Sequence, residues 1–321
     1  MMQVLADLTL IRAWRYLAFM LALPITFAAT SGQPQQPNTQ SRTLQVPGGT
    51  IEVSLPDDPM TLSADDLLNW IKNSAGAVST YYGRFPVTHL SLRIRAGSGS
   101  GVRHGVTYPT DGGLILITVG RDATTQALAD DWVLTHEMIH LAFPSMADNH
   151  HWIEEGISTY VEPVARAQAG RLPVAEVWKE FIRDMPKGQP GFGDAGLDHT
   201  PTWGRTYWGG AMFCLLADVT IRWQTKDRYG LRDALRAIVN AGGNMETSWP
   251  LTRALEVGDR AVGAPVLMEL YNELKASPLK PDLPQLWRKL GIETDRRPIT
   301  FDDTAPWAST RRAIASGKPD R

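Results

Sequence analysis

Two histidines and a glutamate stand close together in the segment Trp132-Val133-Leu134-Thr135-His136-Glu137-Met138-Ile139-His140-Leu141. His136 and His140 are four residues apart, about one helical turn, so on a helix both imidazoles project from one face toward one point. Neutral imidazole is a common metal ligand, and Glu137, on the next stripe, can reach a metal-bound water without being a ligand itself. The chemistry implied is hydrolysis by water activated at an ion, with a carboxylate taking the proton. The pattern can also arise by chance, as packed or solvated side chains. The apolar neighbours Trp132, Val133, Leu134, Ile139 and Leu141 argue for a buried task.

A catalytic zinc usually takes three protein ligands and keeps one position for water. A third histidine six residues past His140 is excluded, because Met146 stands there. His150 and His151 are adjacent and seldom both face one ion; they read as polar rim. Glu155, in His151-Trp152-Ile153-Glu154-Glu155-Gly156-Ile157-Ser158-Thr159-Tyr160, is the stronger candidate. The connection from Pro144 to Asn149 permits an antiparallel return, and a second helix then sets the third ligand opposite the first two. Glu162 lies seven positions beyond Glu155, on the same face, where it can accept a hydrogen bond from a ligand histidine. Its plainer reading is an exposed carboxylate before Pro163.

The elements that position these groups fall into two parts. Thr50 to Leu55 alternates as a strand, and Ser63-Ala64-Asp65-Asp66 opens a helix with apolar Leu67, Leu68, Ile71 and Val78. His89 to Arg95 and Gly113 to Val119 read as strands, separated by the glycine-containing loop AGSGSGVRHGVTYPTDG. Gly113 to Val119 is expected at a sheet edge, where an extended peptide can pair with it. After Gly120 helices are expected over 124–143, 151–168, 173–184, 206–224, 230–241, 264–276 and 283–289. The fold class is therefore α+β: a small mixed lobe (46–145) carrying the His-Glu-x-x-His helix, then a mostly helical lobe (146–321) carrying the third ligand.

Arg12 and Arg15 precede an apolar run from Tyr16 to Ala29, interrupted by Pro24 and shorter than the ~20 residues that span a bilayer. Residues 1–30 are expected to be a secretory signal, so the chain is expected to be exported, periplasmic or extracellular, with no stable membrane span once mature; an uncleaved N-terminal anchor is the alternative. No cysteine follows the run to carry a lipid. Residues 31–45, rich in Gln, Pro, Ser and Asn, read as a disordered spacer. The single cysteine, Cys214, lies in an apolar run and reads as core packing, with no internal disulfide available. The net charge of -2, from 32 basic and 34 acidic residues spread along the chain, speaks against nucleic acid.

The paired strings HEMIH and WIEEGISTYVEP resemble the zinc signature of the gluzincin metallopeptidases. The resemblance implies a thermolysin-like gluzincin fold and one Zn2+ ion held by His136, His140 and Glu155. It selects Glu155, directly before Gly156, over Glu154, makes Glu137 the general base, and gives Glu162 the place of an acidic residue behind the ligands. Arg205-Thr206-Tyr207-Trp208-Gly209-Gly210-Ala211 resembles the Tyr-x-x-Gly segment before a core helix, which implies that Tyr207 donates its phenol to the oxyanion. Its bland alternative is an aromatic packing on Trp203 or Trp208. Asp218-Val219-Thr220-Ile221-Arg222 and the stretch Phe301 to Pro306 resemble most closely the glycyl-aminopeptidase-like, peptidase MA-like group.

The implied substrate is a peptide or protein. The Gly-x-Met-Glu-Asn string with which the broad aminopeptidase branch binds a free amine does not occur here, so peptidase is the safer reading and aminopeptidase the narrower one. Two other readings stand beside it: a metallopeptidase-like fold that binds cell-envelope partners without turnover, and a metal-dependent hydrolase of another bond, such as an ester or epoxide.

Overall fold

The computed structural model describes residues 41–293 and 299–316. The expected signal (1–30) and the spacer as far as residue 40 lie outside the described residues. Among the described residues, no helix is long and apolar enough to cross a membrane.

A five-stranded mixed sheet opens the described chain. Its strands are β1 (Ser41–Val46), β2 (Gly49–Ser54), β3 (His89–Gly97), β4 (Val102–Tyr108) and β5 (Leu114–Gly120), in the order β1-β2-β3-β5-β4. β2–β3 and β3–β5 are parallel, while β1–β2 and β4–β5 are antiparallel. Helix α1 (Ala64–Tyr82) makes the crossover between β2 and β3; Ser63 and Asp66 close a reciprocal capping box at its start. Its Leu67, Ile71 and Val78 are buried, as are Leu90, Leu92 and Ile94 of β3 and Ile115, Ile117 and Val119 of β5.

Three expectations need correction here. Residues 41–45 belong to β1 rather than to a spacer: Leu44 is buried opposite Ile51, and pairing with β2 supplies the order that polar Ser41, Thr43 and Gln45 do not signal. The glycine-containing loop holds a strand, β4. That strand, not Gly113 to Val119, ends the sheet, because β5 pairs on both sides. The continuous apolar run of β5 suits an interior strand, and the exposed Arg103 and His104 of β4 suit an edge.

The remainder is mostly helical. Helices α2 (Thr125–Ala129), α3 (Val133–His140), α4 (His151–Gln168) and α5 (Val174–Asp184) are followed by a π-turn (Arg205–Gly209) that runs into α6 (Gly210–Thr225). Then come α7 (Leu231–Asn240), α8 (Leu251–Val262), α9 (Val266–Leu274), α10 (Leu283–Lys289), the two-residue ladder β6 (Ile292–Glu293) with β7 (Thr300–Phe301), and α11 (Ala308–Ser316). The helix expected over 124–143 is two helices, because the Asp131 carboxylate accepts from the Val133 and Leu134 amides, at 2.9 and 3.1 Å, and starts a new one. Helices α8 and α11 were not anticipated. Helix α6 is buried along most of its length, Cys214 included.

Candidate metal centre

Asp131 fixes the origin of α3. Besides the two amides it accepts from Trp70 Nε1 of α1 at 3.1 Å, which pins the start of α3 to the crossover helix. From there His136 and His140 point the same way, with ring centroids 5.0 Å apart. Asp131 is thus a helix cap on which the direction of His136 and His140 depends.

The second helix brings Glu155 to them. Its Oε2 lies 3.2 Å from His136 Nε2 and 3.6 Å from His140 Nε2. The ligand atoms of all three residues fall within 4.8 Å of one another. In a tetrahedral zinc site with bonds of about 2.0–2.1 Å, neighbouring ligand atoms stand about 3.3–3.4 Å apart, so the donor set fits that ion. Ser158 Oγ, one turn below Glu155, meets His140 Nδ1 at 3.2 Å and so directs Nε2 to the shared point. Burial opposes the charge on His140, but Glu155 outweighs it and pushes the imidazole up to about 9. Glu155 is held well below the usual carboxylate range, against its own burial, by His140 and His136.

Glu137 is placed by β4. Thr107 Oγ1 donates to Glu137 Oε2 at 2.6 Å and lies 3.0 Å from the Glu137 backbone oxygen. A Cβ on Gly105 would stand 2.6 Å from Glu137 Cγ, so the strand lies this close to Glu137 because glycine is there. Sequence reasoning missed both residues. The signal was the alternation of Val102, His104, Val106 and Tyr108, masked by the glycines around it.

Tyr207 sits in the π-turn, and its ring stacks on His136 (centroids 6.4 Å, 18° between planes) and on Trp203 (5.7 Å, 27°). Burial, then Glu155 and Glu137, push its phenol well above the ordinary tyrosine range, so it remains a donor. Trp132 meets His136 edge-on at 5.6 Å. Trp132 and Trp203 are 54% and 52% exposed.

Glu162 departs from expectation. It is buried, not an exposed helix end, because α4 continues through Pro163 to Gln168. Its Oε1 accepts from Arg166 Nη1 at 2.8 Å, and among the described residues Ser158 rather than Glu162 reaches a ligand histidine. Burial pushes Glu162 up to about 8 despite Arg166. Glu154 turns away from the ligand histidines, accepting from the Met146 amide (3.3 Å) and meeting His151 Nδ1 (3.3 Å). His150 belongs to a separate network with Tyr271 Oη, at 3.1 Å, and Asp198. His151, expected as rim, touches the candidate ligand: its Nε2 lies 3.2 Å from Glu155 Oε1. Its hydrogen bonds to Glu154 and Glu155 push it up to about 10.

No family model and no curated protein matches the sequence. Solved structures do match. An aminopeptidase N family protein from Idiomarina loihiensis aligns with 79% of this chain and 49% of its own, at TM-score 0.62 and 12% identity. An M1 zinc metallopeptidase from Deinococcus radiodurans aligns with 76% of this chain and 53% of its own, at TM-score 0.50 and 15% identity. This chain thus spans about half the length of the solved structures it matches. Such identities carry fold alone: over the aligned residues this chain shares its fold with about half of each of these two structures.

Proposed function

We propose that this chain is a zinc-dependent peptidase. The observation that carries the reading is the meeting of His136 Nε2, His140 Nε2 and Glu155 Oε2 within 4.8 Å, beside a glutamate whose own orientation is fixed by Thr107. His136, His140 and Glu155 would hold one zinc ion, which when bound supplies a Lewis acid for the scissile carbonyl and an acidified water. Thr107 occupies Glu137 Oε2 and leaves Oε1 to take the proton of the attacking water. Glu137 stores that proton and delivers it to the leaving amine. Tyr207, kept protonated by burial and the nearby carboxylates, donates to the oxyanion that develops on the substrate.

The free edge of β4 supports an extended peptide as substrate, since main-chain pairing there lays a strand alongside Glu137. The half-exposed rings of Trp132 and Trp203 favour large apolar side chains near the scissile bond. Arg12, Arg15 and the apolar run after them support export.

The test is cleavage of a peptide panel with free and blocked N-termini by the parent and by Glu137→Gln. The reading expects the parent to cleave and Glu137→Gln to lose at least about 100-fold in kcat while retaining zinc. A variant as active as the parent defeats it. Cleavage confined to free N-termini makes the enzyme an aminopeptidase; cleavage of blocked peptides makes it an endopeptidase.

A further inference from the structure

Each oxygen of the Glu155 carboxylate has a different neighbour. Oε2 faces the Nε2 atoms of His136 and His140, at 3.2 and 3.6 Å. Oε1 faces His151 Nε2, at 3.2 Å. Helical spacing makes this possible, because His151 and Glu155 are one turn apart on the same stripe of α4. The helix alone does not fix the carboxylate plane: the last torsion of a glutamate is broad and nearly twofold, so both oxygens exchange easily unless one is held.

The His151 ring is itself held. Its Nδ1 meets Glu154 Oε2 at 3.3 Å, and the other oxygen of Glu154 accepts from the Met146 amide at 3.3 Å. Met146 lies in the connection between α3 and α4, the segment that joins the two histidine ligands to the third. A relay therefore runs from that connection through Glu154 and His151 to the far oxygen of the ligand carboxylate.

Resting on the reading of a zinc site given above, we propose that His151 is a positioning residue for it. By holding Oε1 it presents Oε2 alone to the ion, so Glu155 binds through one oxygen and a position stays open for water and substrate. Freed from His151, the carboxylate swings, and both metal affinity and the open position suffer. The side chain of His151 is 55% exposed, so its replacement removes the contact without opening a cavity in the core.

The experiment measures the zinc dissociation constant by chelator competition at fixed pH for the parent, His151→Ala and His151→Gln, with the melting temperature of each metal-free protein beside it. His151→Ala should weaken zinc about 10- to 100-fold, the range typical of residues that orient a ligand, with metal-free stability unchanged. His151→Gln, whose amide N–H can still reach Oε1, should bind zinc more tightly than His151→Ala. Zinc binding by His151→Ala within about twofold of the parent overturns the proposal while leaving the zinc reading intact. A parent that binds no zinc overturns the zinc reading, and is recognised before any variant is compared.

Discussion

Gly156 and Gly210 meet backbone to backbone where α4 crosses α6: a Cβ on Gly156 would stand 2.4 Å from Gly210 Cα and carbonyl carbon, and one on Gly210 would stand 2.1 Å from Trp152 O. The crossing lies directly after Glu155 and three residues after Tyr207. The Glu-Gly and Tyr-x-x-Gly strings are thus two sides of one contact, which brings the proposed metal ligand Glu155 and the proposed oxyanion donor Tyr207 to the same place.

Gly156→Ala must push the two helices apart, since no side-chain rotation relieves a clash with backbone. We expect a loss of about 1–3 kcal/mol in stability, as for an overpacked core, together with weakened zinc binding. Gly76, in α1, has nothing within 4 Å of its added Cβ, so Gly76→Ala should instead stabilise by about 0.5–1 kcal/mol. Denaturant unfolding of both variants checks the contrast.

In the proposed mechanism strand β4 bears on catalysis through Glu137. Gly105→Ala forces the Glu137 side chain aside, and Thr107→Val removes the hydroxyl that fixes it. Both should lower kcat about tenfold or more, with zinc content unchanged, because neither touches a ligand. Kinetics and metal analysis on the same preparations separate this from loss of the metal.

Glu162 gives a pH signature. Its folded-state value, raised to about 8, exceeds the ordinary 4.5, so the folded state binds the extra proton and the stability from this group is full below about 4.5. That contribution is lost as pH rises from about 4.5 to about 8, at no more than about 1.4 kcal/mol per pH unit. Glu162→Gln, permanently neutral, should gain on the parent across this window. Melting temperatures with a chelator present, from pH 5 to pH 8, should converge at the acid end and diverge at the alkaline end; parallel curves would contradict the assignment.

Asp218 ties α4, α6 and α7 together, accepting from Tyr160 Oη (2.8 Å), Arg222 Nε (2.8 Å) and the Leu231 amide (3.0 Å). Asp218→Ala leaves the buried Arg222 charge uncompensated, and about 3–5 kcal/mol of stability should go with it. The unfolding midpoint measures this directly.

The candidate site was legible because its groups are local in sequence: one helical turn separates His136 from His140, and a short connection separates them from Glu155. At Glu162 helical spacing specifies a face and not a partner. Whether a carboxylate there meets histidine or arginine depended on Arg166, one turn further on. Adjacency does not govern both histidines: His150 meets Tyr271 and Asp198, while His151 meets Glu154 and Glu155. Strand β4 was hidden by Gly101 and Gly105, which ordinarily mark loops; Gly105 is needed because Glu137 lies against it. Helix α8 carries apolar residues at helical spacing around Gly258, whose missing side chain makes room for Leu267 and Ala234.

The central claim is a zinc ion held by two residues of α3 and one of α4. Metal analysis of the purified chain, with His140→Ala and Glu155→Ala prepared alongside, tests it most directly. One zinc per parent chain and little or none in either variant is the expected result; equal zinc in all three proteins would contradict it.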